Sequence, residues 1–310
     1  MTELLEKYKV TESITPDGLP YITVTGVYPI DAKATFECGQ CFRFDPADAS
    51  YPELFGTERA YAGVAYGRYI RVMTPDADTL IIENATANDF YSIWLRYFGL
   101  DLDYAAIISG IEERWGTDSR LAHAAHTGAG LRILAQEPWE ALISFIISQN
   151  NNIPRIKSII KRLCREYGHS VYTANTEEFS FPEPRRLYEA DVDGLFALRM
   201  GFRAKYVFDA AEKVTFDSRF LDRVADCETY TNAEAMLSSV KGVGPKVAAC
   251  TLLFGFGRLE AFPVDVWIRR TAGKYFECGI PTSDDFGPLA PYAGILQQYI
   301  FHYERNCSSD

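Results

Sequence analysis

The chain has 310 residues, 47% of them hydrophobic and 14% aromatic, with a formal net charge of −11. This composition excludes a disordered or low-complexity chain and suffices for two or three compact units with sizeable cores. No apolar run is long enough to span a membrane and no signal peptide is evident, and the seven scattered cysteines lead us to expect a reduced, intracellular setting (cytoplasm or nucleoid, nucleus in a eukaryote).

The acidic balance argues against a protein that coats nucleic acid, which usually carries a basic surface. The charge is uneven, however. Acid gathers in residues 1–120 and 174–193. Base gathers in Arg155 to Arg165, Arg199 to Lys205, Lys241 to Lys246 and Ile268 to Lys274. A basic face on an acidic chain is therefore expected, although Lys157, Lys161 and Arg165 singly also fit a solvated helix face.

Residues 1 to about 115 read as a mixed, strand-rich unit. YITVTGVY, ATFECGQCFRF and RYIRVMTP are rich in β-branched and aromatic residues and are separated by Asp-Gly, Pro and Asp-Ala breaks. NDFYSIWLRYFG and DYAAIISGIEERWG then have helical apolar spacing. Cys38 and Cys41 form a C-x-x-C. A structural zinc would need a second pair of ligands, and a thioredoxin-like site would open a helix, whereas this motif lies in a strand-like run. The four dispersed histidines supply no ligand set.

From about residue 120 the chain reads as helix and loop. EPWEALISFIIS is an apolar helix broken by three asparagines. Pro154 stands in the first turn of the next, with Ile156, Ile159, Ile160 and Leu163 on one stripe. Asn152 is placed to cap it. Thr231 and Asn232 are read as caps of a short helix before the glycine turn at Gly242 and Gly244, and Pro245 opens the helix that follows. Helix, hairpin and helix (232–254) leave backbone N–H groups free for an anion, naturally a phosphate. Alone, the turn also fits a plain αα-corner. Lys246 sits in an apolar helix start, where a cation needs a task or a partner. Burial and a helix N-terminus both favour an unprotonated amine, the form that attacks carbon and makes a Schiff base. Asp265, in the segment 263–270, looks like a helix cap. Singly each is ordinary; the pair is not.

GVGPK around Lys246 and PVDV around Asp265 resemble the helix-hairpin-helix superfamily of DNA glycosylases, and within it the 8-oxoguanine DNA glycosylases. ECGQCFRF, SFIISQNNNIPRI, MGFRAKYV and PYAG appear in family order and carry the likeness over nearly the whole chain. The resemblance implies an α+β fold: an antiparallel, β-rich (TBP-like) domain over 1–118, then a two-lobed all-α helix-hairpin-helix region over 119–310. It implies a monomer that flips an oxidised purine out of double-stranded DNA. Lys246 and Asp265 are then catalytic. The Gly39 carbonyl accepts from N7–H of 8-oxoguanine, and Cys250, one turn past Lys246, lies against the base or is simply a small buried hydrophobe. Asn150 fills the vacated gap, Arg155 reads the orphaned cytosine, and Phe202 wedges the stack with Arg203 beside it. Phe202 alone would also pass for a core residue. Lys241, Gly242, Val243 and Gly244 hold a phosphate. No organic cofactor is implied, although the family's hairpin carbonyls also hold a monovalent cation (K+ or Na+).

Two departures stand out. Trp267 occupies a position where eukaryotic members carry a phosphate-contacting histidine. An ungapped reading of the C-terminal tail puts Cys307 where the family has a lesion-clamping glutamine, so neither that glutamine nor its partner phenylalanine is carried over. No four-cysteine iron–sulfur spacing is seen. The competing readings are an alkylated-base glycosylase, which generally lacks the lysine, and a non-catalytic helix-hairpin-helix DNA-binding protein, which needs no Asp265.

Overall fold

The computed structural model describes residues 7–171 and 177–306. Six antiparallel strands form one sheet: β1 (Lys9–Ile14), β2 (Pro20–Thr25), β3 (Phe44–Asp48), β4 (Arg59–Ala65), β5 (Arg68–Met73) and β6 (Thr79–Glu83), in the order β1-β2-β6-β5-β4-β3. Ile22 pairs with Ile82, which pairs with Val72, so the period-2 alternation sets one apolar row across three strands. That face packs on Phe36, Phe90, Trp94 and Tyr97. The opposite face holds a smaller cluster with Phe55, Met73 and Ile81.

The helical region surrounds the almost wholly apolar helix Pro138–Ser148, with the helix Pro245–Phe256 against it. Ile156, Ile159, Ile160 and Leu163 on Ile153–Tyr167 are all buried, as their spacing predicts, and Asn152 caps that helix by accepting from the Arg155 N–H at 3.0 Å. The helix Tyr104–Trp115 falls in the first of the two segments expected from sequence, yet it buries Ile107 and Ile111 in the helical core. No helix among the described residues is long and apolar enough to cross a membrane.

Three local expectations are corrected. ATFECGQCFRF is not one strand: Ala32–Glu37 is a helix, capped by Asp31 accepting from the Ala34 N–H at 3.1 Å, and Cys38–Cys41 form the turn after it. A side-chain cap and burial of Phe36 outweigh β-propensity here. The helical region also contains a short ladder, Ser170–Val171 with Glu178–Phe179. Finally, the cap of the helix Tyr230–Ser238 is Thr229, whose hydroxyl accepts from the Asn232 N–H at 3.2 Å, rather than Thr231 or Asn232.

The turn at Cys38–Cys41 joins the two cores. Gln40 is fully buried. Its amide donates to the carbonyls of Thr35 (2.8 Å) and Arg132 (2.7 Å) and accepts from the Leu134 N–H (2.9 Å). Gln136 donates to the Gln40 carbonyl at 2.7 Å. Every polar atom of the Gln40 side chain is thus used to fix the backbone on either side of Gly39. Gln40→Leu should leave the Arg132 carbonyl and the Leu134 N–H unpaired and the Thr35 carbonyl with only the Cys38 thiol as donor, and lower the unfolding free energy by about 3 kcal/mol, read from the urea midpoint at unchanged m-value.

Candidate active site

A cavity of about 350 Å³ opens at the edge of the helical core, beside the Cys38–Gly39 turn. Lys246 and Asp265 both line it, together with Cys250 and Gly39. Lys246 is in the first turn of the helix Pro245–Phe256. Its Nζ lies over the Phe145 ring at 5.5 Å from the centroid, a contact that favours a cation but offers no counter-charge. Asp265 caps Val266–Thr271, and its Oδ1 accepts from the Ile268 N–H at 2.7 Å. The cap pins one carboxylate oxygen; the other makes no hydrogen bond among the described residues. Cys250 registers both groups: burial raises its thiol pKa, Lys246 lowers it and Asp265 raises it. Amine, thiol and carboxylate therefore face one space.

Gly39 closes the far wall with φ +81°. A side chain there would contact Ile153 at 3.6 Å and Phe301 at 3.8 Å, on the cavity side, so a glycine keeps the backbone accessible. The flanking cysteines are both buried and free of disulfides. Burial pushes the Cys38 thiol up to about 12 and the Cys41 thiol higher still, whereas a reactive or metal-binding thiol needs the opposite shift.

The C-terminal helix Ala293–Asn306 supplies a wall that the sequence reading left blank. Gln297 and Phe301, one turn apart, both line the cavity. Gln297 is buried, and its Oε1 accepts from the Gln298 amide at 2.7 Å. The ungapped tail reading is therefore in the wrong register, and Cys307 lies outside the described residues. A Gln-x-x-x-Phe pair at helical spacing after PYAG was the available signal. Trp267 stands half exposed at the cavity mouth.

A second group lies on the exterior. Asn150 is exposed with φ +48°, and Arg155 is exposed. Phe202 is 51% exposed, which removes the core reading. Arg203 differs from expectation. It is 2% exposed and donates to the carbonyls of Gln149 and Asn150 (2.8 Å for Asn150), with its guanidinium 4.5 Å from the Phe202 ring centroid. In this structure it braces the asparagine loop and the wedge instead of presenting a free contact.

The hairpin packs onto the same exterior. A Cβ on Gly242 (φ +81°) would lie 2.3 Å from the Tyr206 ring, whereas one on Gly244 would meet nothing. Gly242 is thus required by the fold, and Gly244 leaves open surface for an approaching molecule. Not all the hairpin N–H groups are free, contrary to expectation: Lys241 donates to Asp209 at 2.8 Å and Val243 to the Val240 carbonyl at 3.0 Å.

A larger cleft of about 570 Å³ lies between β3–β4 and the helix Ile153–Tyr167. Its Lys157 is already held by Asp45 at 2.7 Å and the Phe44 carbonyl at 2.5 Å. Lys161, Glu177 and Glu178 also line it, but neither the hairpin helix nor the Asp265 cap reaches it.

Two family models match in tandem: the N-terminal domain of 8-oxoguanine DNA glycosylase over residues 24–142, and the HhH-GPD superfamily base excision DNA repair protein over residues 143–285. An N-glycosylase/DNA lyase of Saccharomyces cerevisiae is 36% identical over 194 residues, 59% of this chain and 50% of that protein. The alignment thus spans half the length of the yeast relative. A probable N-glycosylase/DNA lyase of Methanothermobacter thermautotrophicus is 31% identical over 218 residues, 61% of this chain and 68% of that one. Among solved structures, MBOgg1 in complex with a low-affinity DNA ligand superposes with a TM-score of 0.84 at 38% identity, covering 96% of this chain and 98% of that one. The Clostridium acetobutylicum 8-oxoguanine glycosylase/lyase, bound to double-stranded DNA with cytosine opposite 8-oxoG, does so at 0.83 and 28% identity, covering 96% and 98%. With an antiparallel sheet, a helix-hairpin-helix and a lysine–aspartate cavity in one chain, and both family models matched in order, this protein belongs to the HhH-GPD superfamily of base excision DNA repair proteins, in its 8-oxoguanine DNA glycosylase branch.

Proposed function

We propose that the protein is a bifunctional DNA glycosylase that excises 8-oxoguanine opposite cytosine from duplex DNA and then cleaves the strand as an AP lyase. The observation that carries this reading is the convergence of Lys246 and Asp265 on one cavity of nucleobase scale, walled by Gly39, Gln297 and Phe301.

The chemistry follows from the groups present. A base within the stack is out of reach, so the damaged nucleotide is rotated into the cavity, at a cost of a few kcal/mol offset by pocket contacts. Lys246, as the free amine, attacks C1′. The C1′–N9 bond breaks, its electrons leave with the base, and the base takes up a proton. The Asp265 carboxylate, held by its cap bond, stabilises positive charge developing on the sugar. Opening of the sugar ring leaves an imine between Nζ and C1′. Loss of a C2′ proton then expels the 3′ phosphate by β-elimination.

Selectivity rests on one hydrogen bond. 8-Oxoguanine carries N7–H, which the Gly39 carbonyl accepts; guanine has a lone pair there and opposes that carbonyl. Such a mismatch is worth about 1–3 kcal/mol, roughly 5- to 150-fold. Gln297 and Phe301 take the clamping roles on the edge and face of the base. Asn150 and Arg155 attend the orphaned cytosine, Phe202 holds the stack open, and the Gly244 edge of the hairpin meets a phosphate.

The reading requires no organic cofactor and a monomer suffices, acting where the DNA is. The carbonyls of Lys241 and Gly242 accept no hydrogen bond among the described residues. Neutral oxygens without a carboxylate suit a monovalent cation at the hairpin better than a divalent one.

Three outcomes test the reading. With a duplex holding one 8-oxoguanine opposite cytosine, borohydride should trap a covalent adduct, and Lys246→Gln should abolish trapping and cut excision by at least about 10³-fold; base release by the variant at the wild-type rate excludes the lysine mechanism. Arg155→Ala should narrow the preference for cytosine over the other three opposite bases by roughly tenfold, measured as kcat/KM ratios. Phe301→Ala should weaken lesion binding by about 1–3 kcal/mol in titrations with an uncleavable 8-oxoguanine analogue, with a smaller effect on abasic-site DNA, which has no base to clamp.

A further inference from the structure

Arg199 occupies the left-handed region, φ 65° and ψ 29°, within an otherwise helical turn. A residue with a Cβ persists there only where its surroundings over-determine the backbone. Here they do. Arg162 donates twice to the Leu198 carbonyl, at 3.0 and 2.9 Å. Arg203 donates to the Met200 carbonyl at 3.1 Å. The carbonyls on either side of Arg199 are thus clamped, one from the helix Ile153–Tyr167 and the other from beneath Phe202. Arg162 is itself steadied by Ser158 at 2.7 Å. Two arginines commit donors to fixing the backbone around a third.

The third commits none. The Arg199 side chain is exposed and makes no hydrogen bond or ion pair among the described residues. Its charged neighbours are cations: burial, Arg199 and Arg155 together lower the Arg162 pKa, and burial with Arg155 lowers that of Arg203. Arg199 and Arg162, joined through the Leu198 carbonyl, thus lie near Arg155, with the buried Arg203 beneath, in a chain whose net charge is −11, and none of the four pairs with a carboxylate among the described residues. Like charges gathered without counter-ions are unfavourable in the free protein and become favourable against a polyanion. This face carries Asn150 and Arg155, assigned above to the orphaned cytosine, and Phe202, assigned to the opened stack.

We infer that Arg199 is a further DNA-binding residue, holding a backbone phosphate of the strand opposite the lesion beside the position attended by Arg155. The inference rests on the glycosylase reading and deepens it. A phosphate contact of this kind sets the register of the duplex and carries no base preference. The clamped backbone holds the arginine in place before DNA arrives, which lowers the ordering cost of binding.

Arg199→Gly is the informative variant, because glycine is at ease at positive φ. Its thermal midpoint should equal or exceed that of the wild type, so lost binding reports lost charge. Affinity for 8-oxoguanine·cytosine duplex and for undamaged duplex should both fall several-fold, and the slope of log K against log salt should shrink by about 0.9, one phosphate's worth. Arg199→Lys should keep most of that slope. A methylphosphonate walked along the strand opposite the lesion should reproduce the loss at one phosphate in the wild type and add nothing there in Arg199→Gly. An unchanged salt slope in Arg199→Gly, beside a steep one in the wild type, overturns the inference while leaving the glycosylase reading intact. A sensitive phosphate on the lesion strand instead overturns the strand assignment. Absence of salt-dependent duplex binding by the wild type removes both readings, and borohydride trapping reports on the second independently.

Discussion

The close approach of three helices, made possible by two glycines, is the constraint on which the active site depends. A Cβ on Gly255 would lie 2.8 Å from the Ala141 Cβ and 3.1 Å from the Pro138 Cα. The helix Pro245–Phe256 therefore lies directly on Pro138–Ser148, with Phe254 stacked on Phe145 at 5.4 Å. That contact sets Lys246 over the Phe145 ring. A Cβ on Gly294 would lie 2.4 Å from Leu253 and 2.7 Å from the Ala261 carbonyl, and the Gly294 N–H donates to Leu259 at 2.8 Å. The C-terminal helix is thereby seated on the lysine helix, and Gln297 and Phe301 follow one and two turns later on the same wall. Close packing of this kind couples the two walls to each other.

The opposite wall is held by a different device. Gly39 is in a turn between two hydrophobic cores, and buried amides fix it from both sides. Helix packing positions Lys246; hydrogen bonds of Gln40 and Gln136 position the Gly39 turn. The cavity is thus bounded by elements far apart in sequence, each held by packing or hydrogen bonds of its own, a preorganised arrangement of the kind that lets polar groups act without reorganisation.

Outside the cavity, force is shared among neighbours. The hairpin rests on Tyr206, which meets Phe202 edge-on at 5.9 Å. Phe202 lies over Arg203, and Arg203 holds the asparagine loop. The chain as a whole is acidic, with a formal net charge of −11, while this side of it gathers arginines that pair with no carboxylate among the described residues.

Much of this was legible in the sequence. Pro245 and Asp265 declared helix starts because capping chemistry is local. The stripe from Ile156 to Leu163 declared its buried face because helical period is local, and the GVGPK and PVDV spacing identified the family. Other features were decided by tertiary structure alone. Whether ATFE is strand or helix turned on burial of Phe36 and a single cap. Whether Arg203 faces DNA or the backbone of its own chain turned on carbonyls some fifty residues away. The register of the C-terminal wall turned on which glycine touches Leu253. The sequence by itself determined the reactive groups and the helix ends, since both depend on residue type and near neighbours. Which groups meet, and across what space, was decided by packing between distant segments, where a contact depends on partners that no local pattern names.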